Sequence, residues 1–543
     1  MQQPEAEQHT RLQRYLAANA RTAFGRTHAF HLIDSYEDFA KRVPLRDYDE
    51  FKPWIERIRG GEPNVLTHEP VTHLIPTSGS TGGRKLIPFT RGLQEEFGAA
   101  IGPWLVDLLR QTPGIAGGPA YWSVTPMMGG LEKENSAVPV GFEADTVYLG
   151  GARQRLARAV MAVPDELRLA EDLEVFRYVT LLCLLRLRDL RLISVWHPSF
   201  LTLLLAALPA CWAEILADIR NGRCRHEQSI PPALQKALHL QPLPGRANEL
   251  QAADPQRPET LWPHLKLISC WGDGPAGLAA ASLQKIFPRV TVQPKGLLAT
   301  EALVSIPFAG WQPVAVRSHF FEFLDDAGEI RRAHELGEGQ TYEVVVTTAG
   351  GLWRYRLQDR VQVTGLLGRT PSLRFVGRTG VVSDLFGEKL SEAFVAEAIR
   401  ETLALADNPP CFALLAPDED GAGWRYTLYL QGPGPARLAD ALDRALRKNP
   451  HYAYARDLGQ LLPIRLFAIT NHGFETFLKW RTKPGARPGD TKPTCFSPIG
   501  GWSDLFPGAY LECGRDNGLM DTTASRRESC PERGPEGNEP QLR

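Results

Sequence analysis

A strand, crossover, strand pattern between His264 and Gly296 constrains the fold of this chain more than any other feature. The apolar, β-prone run "HLKLISC" is followed by the glycine-rich turn "WGDGPAG", a helical pattern that ends near Ile286 and the strand pattern "RVTVQPKG". Two strands joined by a helix run parallel, because a parallel pair needs a long crossover connection. The segment therefore predicts a parallel sheet with helices packed on it.

Further strand and helix patterns extend this sheet and add others. Two long helical patterns between Leu173 and Ile219 flank the apolar run "LRLISV", and Thr341 to Gly365 carries strand patterns of an antiparallel sheet. Beyond Gly377 to Ser383, helix and strand patterns alternate over a shorter stretch. The fold is therefore predicted to be α/β, with mixed sheets in a large N-terminal domain and a smaller α+β domain after it.

The length of 543 residues also favours more than one domain, because a single hydrophobic core stops growing well below that size. The last segment, rich in glycine, proline, serine and charge, cannot bury enough apolar surface to order itself. We predict a large domain over residues 1–377, a small domain over 378–510 and a disordered tail over 511–543.

Charge and cysteine usage exclude several classes of function. The chain has 61 Lys plus Arg against 62 Asp plus Glu, so no overall field favours a nucleic acid or a membrane partner. A polar N-terminus without an apolar signal core predicts a cytoplasmic protein. Eight cysteines without a C-x-x-C pair predict reduced thiols. The apolar segment from Phe200 to Leu216 is too short to span a membrane and predicts one buried core helix.

The stretch "HLIPTSGSTGGRKLIPFT", from His73 to Thr90, is the first candidate site. A strand that enters a turn rich in glycine and hydroxyl groups leaves backbone N–H groups pointing into one concavity, which binds phosphate. The spacing is not that of a Walker A loop, and an ordinary surface loop is the alternative. The candidate phosphate-binding residues are Thr77, Ser78, Gly79, Ser80, Thr81 and Gly82, with Lys85 supplying positive charge.

A second candidate is "KGLLATEALVSIP", which follows a predicted strand and places Thr300 and Glu301 in a turn. A carboxylate beside a polyphosphate can hold Mg²⁺, which neutralises charge and orients the phosphorus under attack. A solvated glutamate is the alternative reading of Glu301 taken alone.

Two further segments each offer one side chain. "GLWRYRLQDRV" places Asp359 after a strand, where a carboxylate can accept both hydroxyls of a ribose. A structural ion pair of Asp359 with Arg356 or Arg360 is the alternative. "RPGDTKPTCF" presents Lys492 among turn residues as a flexible ammonium, and an ordinary exposed lysine is the alternative.

A group of aromatic residues follows the strand-like run "LRLISV". Trp196, His197 and Phe200 stand where a parallel sheet opens its ligand crevice, so they are candidates for lining an acyl pocket. The alternative is a set of core aromatics around a histidine whose hydrogen bonds are satisfied.

The four motifs in this order resemble the adenylate-forming enzyme superfamily. The chain is most similar to the Gretchen Hagen family of auxin-responsive acyl acid amido synthetases. The likeness includes the phosphate loop "TSGSTGGRK" and the stretches "VPLRDYDEFKPWIERIRGGEPNVL", "ELGEGQTYEVVVTTAGGLWRYRLQDRVQVTG" and "FVGRTGVVSDLFGEKLSEAFV". The resemblance covers roughly Tyr36 to Pro498.

This resemblance implies the adenylate-forming fold and a ligase that uses ATP and Mg²⁺. A carboxylic acid would attack ATP to give an acyl adenylate and pyrophosphate, and an amine, expected to be an amino acid, would then displace AMP. The implied roles are phosphate binding for Thr77, Ser78, Ser80 and Lys85, contact with the α-phosphate and Mg²⁺ for Thr300 and Glu301, ribose binding for Asp359, an interdomain hinge position for Arg378, and stabilisation of the transition-state charge for Lys492.

Three positions depart from the family pattern. Leu297 and Leu298 replace an aromatic residue that would stack on adenine, and Gln358 stands where a glycine commonly precedes the ribose-binding aspartate. These departures leave open a protein that binds nucleotide or acid without turnover. An acyl-CoA ligase of the same superfamily also stays open, because it shares the adenylation step. The sequence identifies neither the acid nor the amine.

Overall fold

The structure is a computed structural model. It describes residues 2–77, 85–124, 136–141, 159–274, 276–383, 385–386, 388–404, 408, 410–434, 437–481 and 494–511.

The N-terminal part of the chain consists of helices that pack in the same apolar core as the large antiparallel sheet. One of these helices starts at a capping box, in which Asp47 accepts the backbone N–H of Glu50 and the Glu50 carboxylate accepts that of Asp47. The four helices are α1 (Pro4–Asn19), α2 (Ala23–Thr27), α3 (Tyr36–Arg42) and α4 (Tyr48–Arg59).

A two-stranded antiparallel hairpin carries the ends of the predicted phosphate loop. Strand β1 (His73–Thr77) pairs with β2 (Lys85–Phe89), and this register places Thr77 directly opposite Lys85. Helix α5 (Arg91–Gln111) follows at once, because Thr90 ends the strand and caps the helix by accepting the backbone N–H of Leu93.

The predicted parallel sheet is confirmed. Its strands β3 (Ala120–Trp122), β4 (Leu192–Ser194), β5 (Leu267–Cys270) and β6 (Thr291–Pro294) are parallel and adjacent in that order. Leu192 and Leu267 share a core with α5, while Ile193 and Ile268 face a second helical layer. That layer contains α6 (Leu173–Arg186), α7 (Pro198–Ala206), α8 (Leu208–Asn221), α9 (Pro232–Leu238) and α10 (Pro244–Gln251), with α11 (Ala276–Ile286) crossing from β5 to β6.

The apolar segment from Phe200 to Leu216 forms two helices where the sequence predicts one. Helices α7 and α8 bend by 71° at their junction, because Pro209 occupies the first turn of α8. Leu204 and Ile215 are fully buried in the helical layer, as expected for core helices. Among the described residues, no single helix has the length and apolarity to cross a membrane. The two helices of the bent pair reach that length and apolarity only when they are counted together.

The antiparallel sheet expected around residues 341–365 is present and has five strands. Its order is β11-β10-β9-β7-β8, and each neighbouring pair is antiparallel. The bounds are β7 (Phe320–Leu324), β8 (Ile330–Arg332), β9 (Thr341–Thr347), β10 (Tyr355–Leu367) and β11 (Thr370–Arg378). The pairing of β10 with β9 shifts register between Arg356 and Arg360.

The remaining elements form the α+β arrangement that the sequence predicts. They are β12 (Val382–Ser383), β13 (Leu390–Ser391), α12 (Glu392–Leu403), β14 (Phe412–Asp420), β15 (Gly423–Gln431), α13 (Arg437–Leu446), α14 (Pro450–Asp457), β16 (Arg465–Ile469), α15 (Gly473–Arg481) and β17 (Gly508–Leu511). Strands β14 to β17 form one sheet, and residues 390–496 contribute a core separate from that of the N-terminal helices. The predicted tail lies outside the described residues, apart from Leu511.

Candidate active site

The Thr300–Glu301 pair occupies the tip of a tight turn in the connection from β6 of the parallel sheet to β7 of the five-stranded sheet. The backbone N–H of Ala299 donates to the carbonyl of Ala302 over 2.9 Å, and residues 298 and 303 form an antiparallel bridge. Thr300 and Glu301 are only partly buried, so their side chains border the space in front of the turn. The turn therefore presents a hydroxyl and a carboxylate side by side.

A buried polar network holds this turn in place. The backbone N–H of Leu303 donates to His319 Nε2 over 3.1 Å, and His319 Nδ1 lies 2.9 Å from Glu96 on α5. Ser318 donates its hydroxyl to the carbonyl of Leu303 over 3.2 Å. His319 is fully buried, and both of its ring nitrogens are engaged, so it acts on the turn through the backbone.

Lys85 reaches the same space from the start of β2. Its ammonium donates to the hydroxyl of Tyr355 over 3.4 Å and lies 5.5 Å from the ring centroid of Tyr48. Burial lowers the pKa of Lys85, while the carboxylate of Glu301 acts in the opposite direction and Arg378 acts in the same direction. Lys85 is thus a partly desolvated cation that faces Glu301.

Asp359 and Arg378 form an ion pair across β10 and β11. They are direct cross-strand neighbours, and Arg378 Nε lies 3.1 Å from Asp359 Oδ1. Burial lowers the pKa of Arg378, but the carboxylates of Asp359 and Glu301 outweigh it, so the net shift is upward. The other two arginines considered as partners of Asp359 pair elsewhere, Arg356 with Glu343 and Arg360 with Asp326.

Tyr355 lies at the centre of these groups, although no sequence motif selects it. Burial raises the pKa of Tyr355 well above its ordinary value; Glu301 raises it further, while Arg378 lowers it. Asp359 also raises the pKa of Tyr355, and Lys85 donates to its hydroxyl. The structure therefore brings four predicted site residues from four separate segments around one phenol.

Glu392, at the start of α12, links the C-terminal elements to this cluster. Burial raises the pKa of Glu392, and the hydroxyl of Thr494 and the cations Arg378 and Arg481 act against that shift. Arg378 therefore stands between carboxylates from both parts of the chain. Gly377, just before it, has φ of 153°, and a Cβ there would lie 2.9 Å from the Cα of Ala393.

Part of the predicted site lies outside the described residues. These are Ser78, Gly79, Ser80, Thr81, Gly82 and Lys492. The five residues from Ser78 to Gly82 lie in the chain between Thr77 and Lys85, which are paired at the end of the β1–β2 hairpin. Lys85 belongs to the cluster around Tyr355. The roles given to these residues remain predictions.

The three residues predicted to line an acyl pocket have different surroundings. His197 caps α7, accepting the backbone N–H of Ser199 over 3.2 Å, and stacks on Phe474 with ring centroids 4.4 Å apart. Burial lowers its pKa to about 3, so the imidazole is neutral. Phe200 packs against the helical core, whereas Trp196 is 38% exposed.

Lys295 is a second residue that the sequence did not single out. It follows β6 directly, is buried, and donates to Ser194 Oγ over 2.6 Å and to Ser269 Oγ over 3.3 Å. Its position, a lysine immediately after an apolar strand of a parallel sheet, is the signal that could have identified it.

Comparisons with known proteins show which family this chain resembles. The GH3 family N-terminal domain matches residues 1–292, the central domain residues 313–378 and the C-terminal domain residues 394–498. The probable indole-3-acetic acid-amido synthetase GH3.12 of Oryza sativa subsp. japonica is 25% identical over 90% of each chain. The 4-substituted benzoates-glutamate ligase GH3.12 of Arabidopsis thaliana is 24% identical over 69% of this chain and 70% of that protein.

A solved structure extends the agreement to the fold. The AtGH3.15 acyl acid amido synthetase in complex with 2,4-DB has a TM-score of 0.79 and 20% identity, covering 91% of this chain and 92% of that one. The predicted α/β fold is therefore confirmed. Because the three domain models match in order and together take up most of the sequence, this chain belongs to the Gretchen Hagen (GH3) family.

Proposed function

We propose that this protein is an ATP-dependent ligase that joins a carboxylic acid to an amine. In the first step, a carboxylate oxygen of the acid attacks the α-phosphorus of ATP, and pyrophosphate leaves with the electrons of the broken P–O bond. In the second step, the amine attacks the carbonyl carbon of the acyl adenylate, AMP leaves and the amine gives up a proton. Membership of the GH3 family and the names of its amido synthetase relatives support this reaction.

One observation carries the proposal: Lys85, Glu301, Asp359 and Arg378 surround Tyr355. Two anions must approach each other in the adenylation step, so cations with fixed positions are needed to stabilise the charge that grows at the α-phosphate. The Lys85 ammonium is held near Glu301, and Arg378 is fixed by its ion pair with Asp359. Lys492 would add a third positive charge from the C-terminal part of the chain.

The nucleotide would occupy the space between the hairpin end and the turn. Asp359 would accept the ribose hydroxyls, and Thr77 with the adjoining hydroxyl-rich segment would bind the phosphates. The turn tip suits Mg²⁺, because this ion is often bound by one carboxylate together with substrate phosphates. Glu301 supplies that carboxylate, and no group of three metal-ligating side chains occurs in the described part of the chain. When bound, Mg²⁺ would neutralise phosphate charge.

The substrate class follows from the relatives. Their names identify indole-3-acetic acid and 4-substituted benzoates as acids and glutamate as one amine. We therefore infer an aromatic acid and an amino acid for this chain.

A hinge between two domains completes the proposal. Domain boundaries at residues 377 and 378 would place Gly377 and Gly380 in the connection. Gly380 has φ of 89°, and a Cβ there would have no neighbouring atom within 4 Å. Rotation there would carry Lys492 toward the nucleotide for adenylation and away from it for amide formation.

The test is acid-dependent exchange of radiolabelled pyrophosphate into ATP over a panel of aryl and indolyl acids. Lys492→Ala and Glu301→Gln are each expected to lower exchange about 10²- to 10³-fold, the usual cost of removing one charge-stabilising group. Asp326→Asn is the matched control, because Asp326 is an exposed carboxylate outside the cluster. ATP binding without exchange for every acid would contradict the proposal.

A second assay separates the two steps. When the acyl adenylate is supplied with amino acids, Lys492→Ala is expected to form amide at close to the wild-type rate, because pyrophosphate release is bypassed. Transfer to CoA but to no amine would show a thioester-forming ligase instead. Equal loss in both assays would contradict the proposed division of labour.

A further inference from the structure

Lys295 is a buried cation that the adenylation chemistry does not use. Its backbone N–H donates to the carbonyl of Cys270 over 2.9 Å, which continues the parallel sheet and fixes the residue at the carboxyl edge of β6. Ligands of α/β proteins bind in the crevice at that edge. The side chain is 9% exposed, so nearly all of it is withdrawn from water.

Residues that the structure describes give this ammonium two polar contacts. Two serine hydroxyls from neighbouring strands accept from it, Ser194 over 2.6 Å and Ser269 over 3.3 Å, but an ammonium has three donors. Within the described ranges, Cys270 is the one titratable group that acts on it, and burial raises the pKa of this thiol to about 12. No carboxylate of the described chain neutralises Lys295.

Aromatic rings form the walls around the ammonium. The Nζ atom lies 5.7 Å from the ring centroid of Trp196 and 6.0 Å from that of Trp104. Trp271 lies 5.9 Å from Trp196, and Trp122 lies 6.4 Å from Trp104. Because Trp196 is 38% exposed, this wall borders solvent. The lining suits a flat, aromatic molecule that ends in an anionic group.

The surroundings of Lys295 lower the stability of the folded protein. A desolvated cation that no carboxylate of the described residues neutralises is unfavourable, and burial lowers the pKa of Lys295 to about 8. An apolar side chain of similar size would avoid that cost. A bound anion would also remove it, because the anion would supply the missing charge and accept the third N–H.

Lys295 is separate from the groups that handle phosphate. The Lys295 ammonium contacts hydroxyls of the parallel-sheet strands β4 and β5. Lys85 and Arg378, in contrast, contact Tyr355 and Asp359 on β10 of the antiparallel sheet. The carboxylate that reacts with ATP must lie near Glu301, so Lys295 faces another part of the acid.

We propose that Lys295 is a specificity-determining residue that binds a second carboxylate, at the far end of an aromatic acid whose first carboxylate is adenylated. This inference rests on the proposed function, and it narrows the acid to an aromatic dicarboxylate. Lys295 positions this substrate, and the tryptophans enclose its ring.

The test compares matched acids on the full chain. Pyrophosphate exchange is measured with benzoate and with benzene-1,3- and benzene-1,4-dicarboxylate, for the wild type and for Lys295→Met. The wild type is expected to prefer a dicarboxylate. In the variant, kcat/KM for that acid should fall about 10- to 100-fold, the cost of one hydrogen bond to a charged group. For benzoate, kcat/KM should rise because an apolar side chain replaces the charge.

Binding is measured separately through tryptophan fluorescence, since Trp104 and Trp196 flank the ammonium. Lys295→Met should weaken dicarboxylate binding and spare benzoate, and Lys295→Arg should recover part of the loss. Lys266→Met is the matched control, because this exposed lysine precedes β5 at the opposite edge of the sheet.

Three results would overturn the inference. Equal loss of benzoate and dicarboxylates in Lys295→Met would show that Lys295 holds the reacting carboxylate. A wild type that favours benzoate over both dicarboxylates would show that the site does not select a second charge. Unchanged binding of all three acids with lower thermal stability would show a structural role. Absence of exchange with every acid in both proteins, with fluorescence binding intact, would count against the proposed ligase reaction and leave the anion site supported.

Discussion

Lys85 and Lys295 are both withdrawn from water, but their electrostatic surroundings differ. Burial lowers the pKa of each amine. At Lys85 the carboxylate of Glu301 opposes that shift, and neighbouring Arg378 is paired with Asp359. At Lys295 the described polar neighbours of the ammonium are a neutral thiol and two hydroxyls. The phosphate end of the site is therefore compensated by neighbouring charges, whereas no carboxylate of the described segments compensates the acyl end.

This difference separates two roles for a buried charge. Where charges compensate each other, removing one leaves its partner unpaired, so stability and activity fall together. Where a charge has no partner in the protein, its removal raises the free energy of unfolding. The only binding that it weakens is that of the ligand that the charge would contact. Substitutions at the two ends are expected to have opposite effects on stability.

The largest effect is expected from Arg378→Met. Asp359 is 1% exposed, so this substitution removes the cation that faces a buried carboxylate, and the free energy of unfolding should fall by about 3–5 kcal/mol. Urea unfolding followed by circular dichroism measures this change. The control Arg360→Met breaks a pair with an exposed Asp326 and should cost about 0–1 kcal/mol. Similar losses in the two variants would show that the Asp359 pair is not an essential compensating contact.

Lys85→Met tests the same end of the site through activity. Exchange should fall about 10²- to 10³-fold for every acid, because the lost ammonium serves the phosphates, which all acids share. Lys295→Met, in contrast, should change the order of preference among acids. A loss in Lys85→Met that depends on the acid would remove the distinction between a phosphate end and an acyl end.

The sequence predicted the fold well because hydrophobic periodicity is local. The apolar runs at Leu192–Ser194 and Leu267–Cys270 were found as parallel strands because each is bounded by turns and helical patterns. The continuous apolar composition of the stretch after Phe200 predicts one helix. The structure has two, because Pro209 stands in the first turn of a second helix.

The site was predictable only where one short segment carries the chemistry. Thr300, Glu301 and Asp359 belong to recognisable segments, and the structure places Glu301 and Asp359 beside Tyr355. The pairing of Asp359 with Arg378 depends on the register between β10 and β11, which sequence patterns do not determine. Lys295 was missed because its hydroxyl partners lie 101 and 26 residues away along the chain.

The pH dependence of the free energy of unfolding tests whether Lys295 is a desolvated amine with a lowered pKa. Its folded pKa of about 8 lies below the ordinary 10.5, so between these values the unfolded chain binds the extra proton. Stability of the wild type relative to Lys295→Met should therefore be level below pH 8, rise through the window and level off above it. The total rise is about 3 kcal/mol. Urea unfolding of both proteins at pH 7 and pH 10 measures it, and a constant difference would contradict the buried, unpaired state.

The smallest effect concerns the backbone that aims Asp359. Gln358 has φ of 61°, where a side chain is strained, and its carbonyl accepts the N–H of Thr379 over 2.7 Å. Gln358→Gly should raise the free energy of unfolding by about 1 kcal/mol, since glycine adopts this conformation without a clash of its Cβ. Gln358→Ala keeps the Cβ and should give no gain. If glycine destabilises the protein instead, the glutamine side chain itself contributes to holding the phosphate end, and the compensation there extends beyond the charged groups.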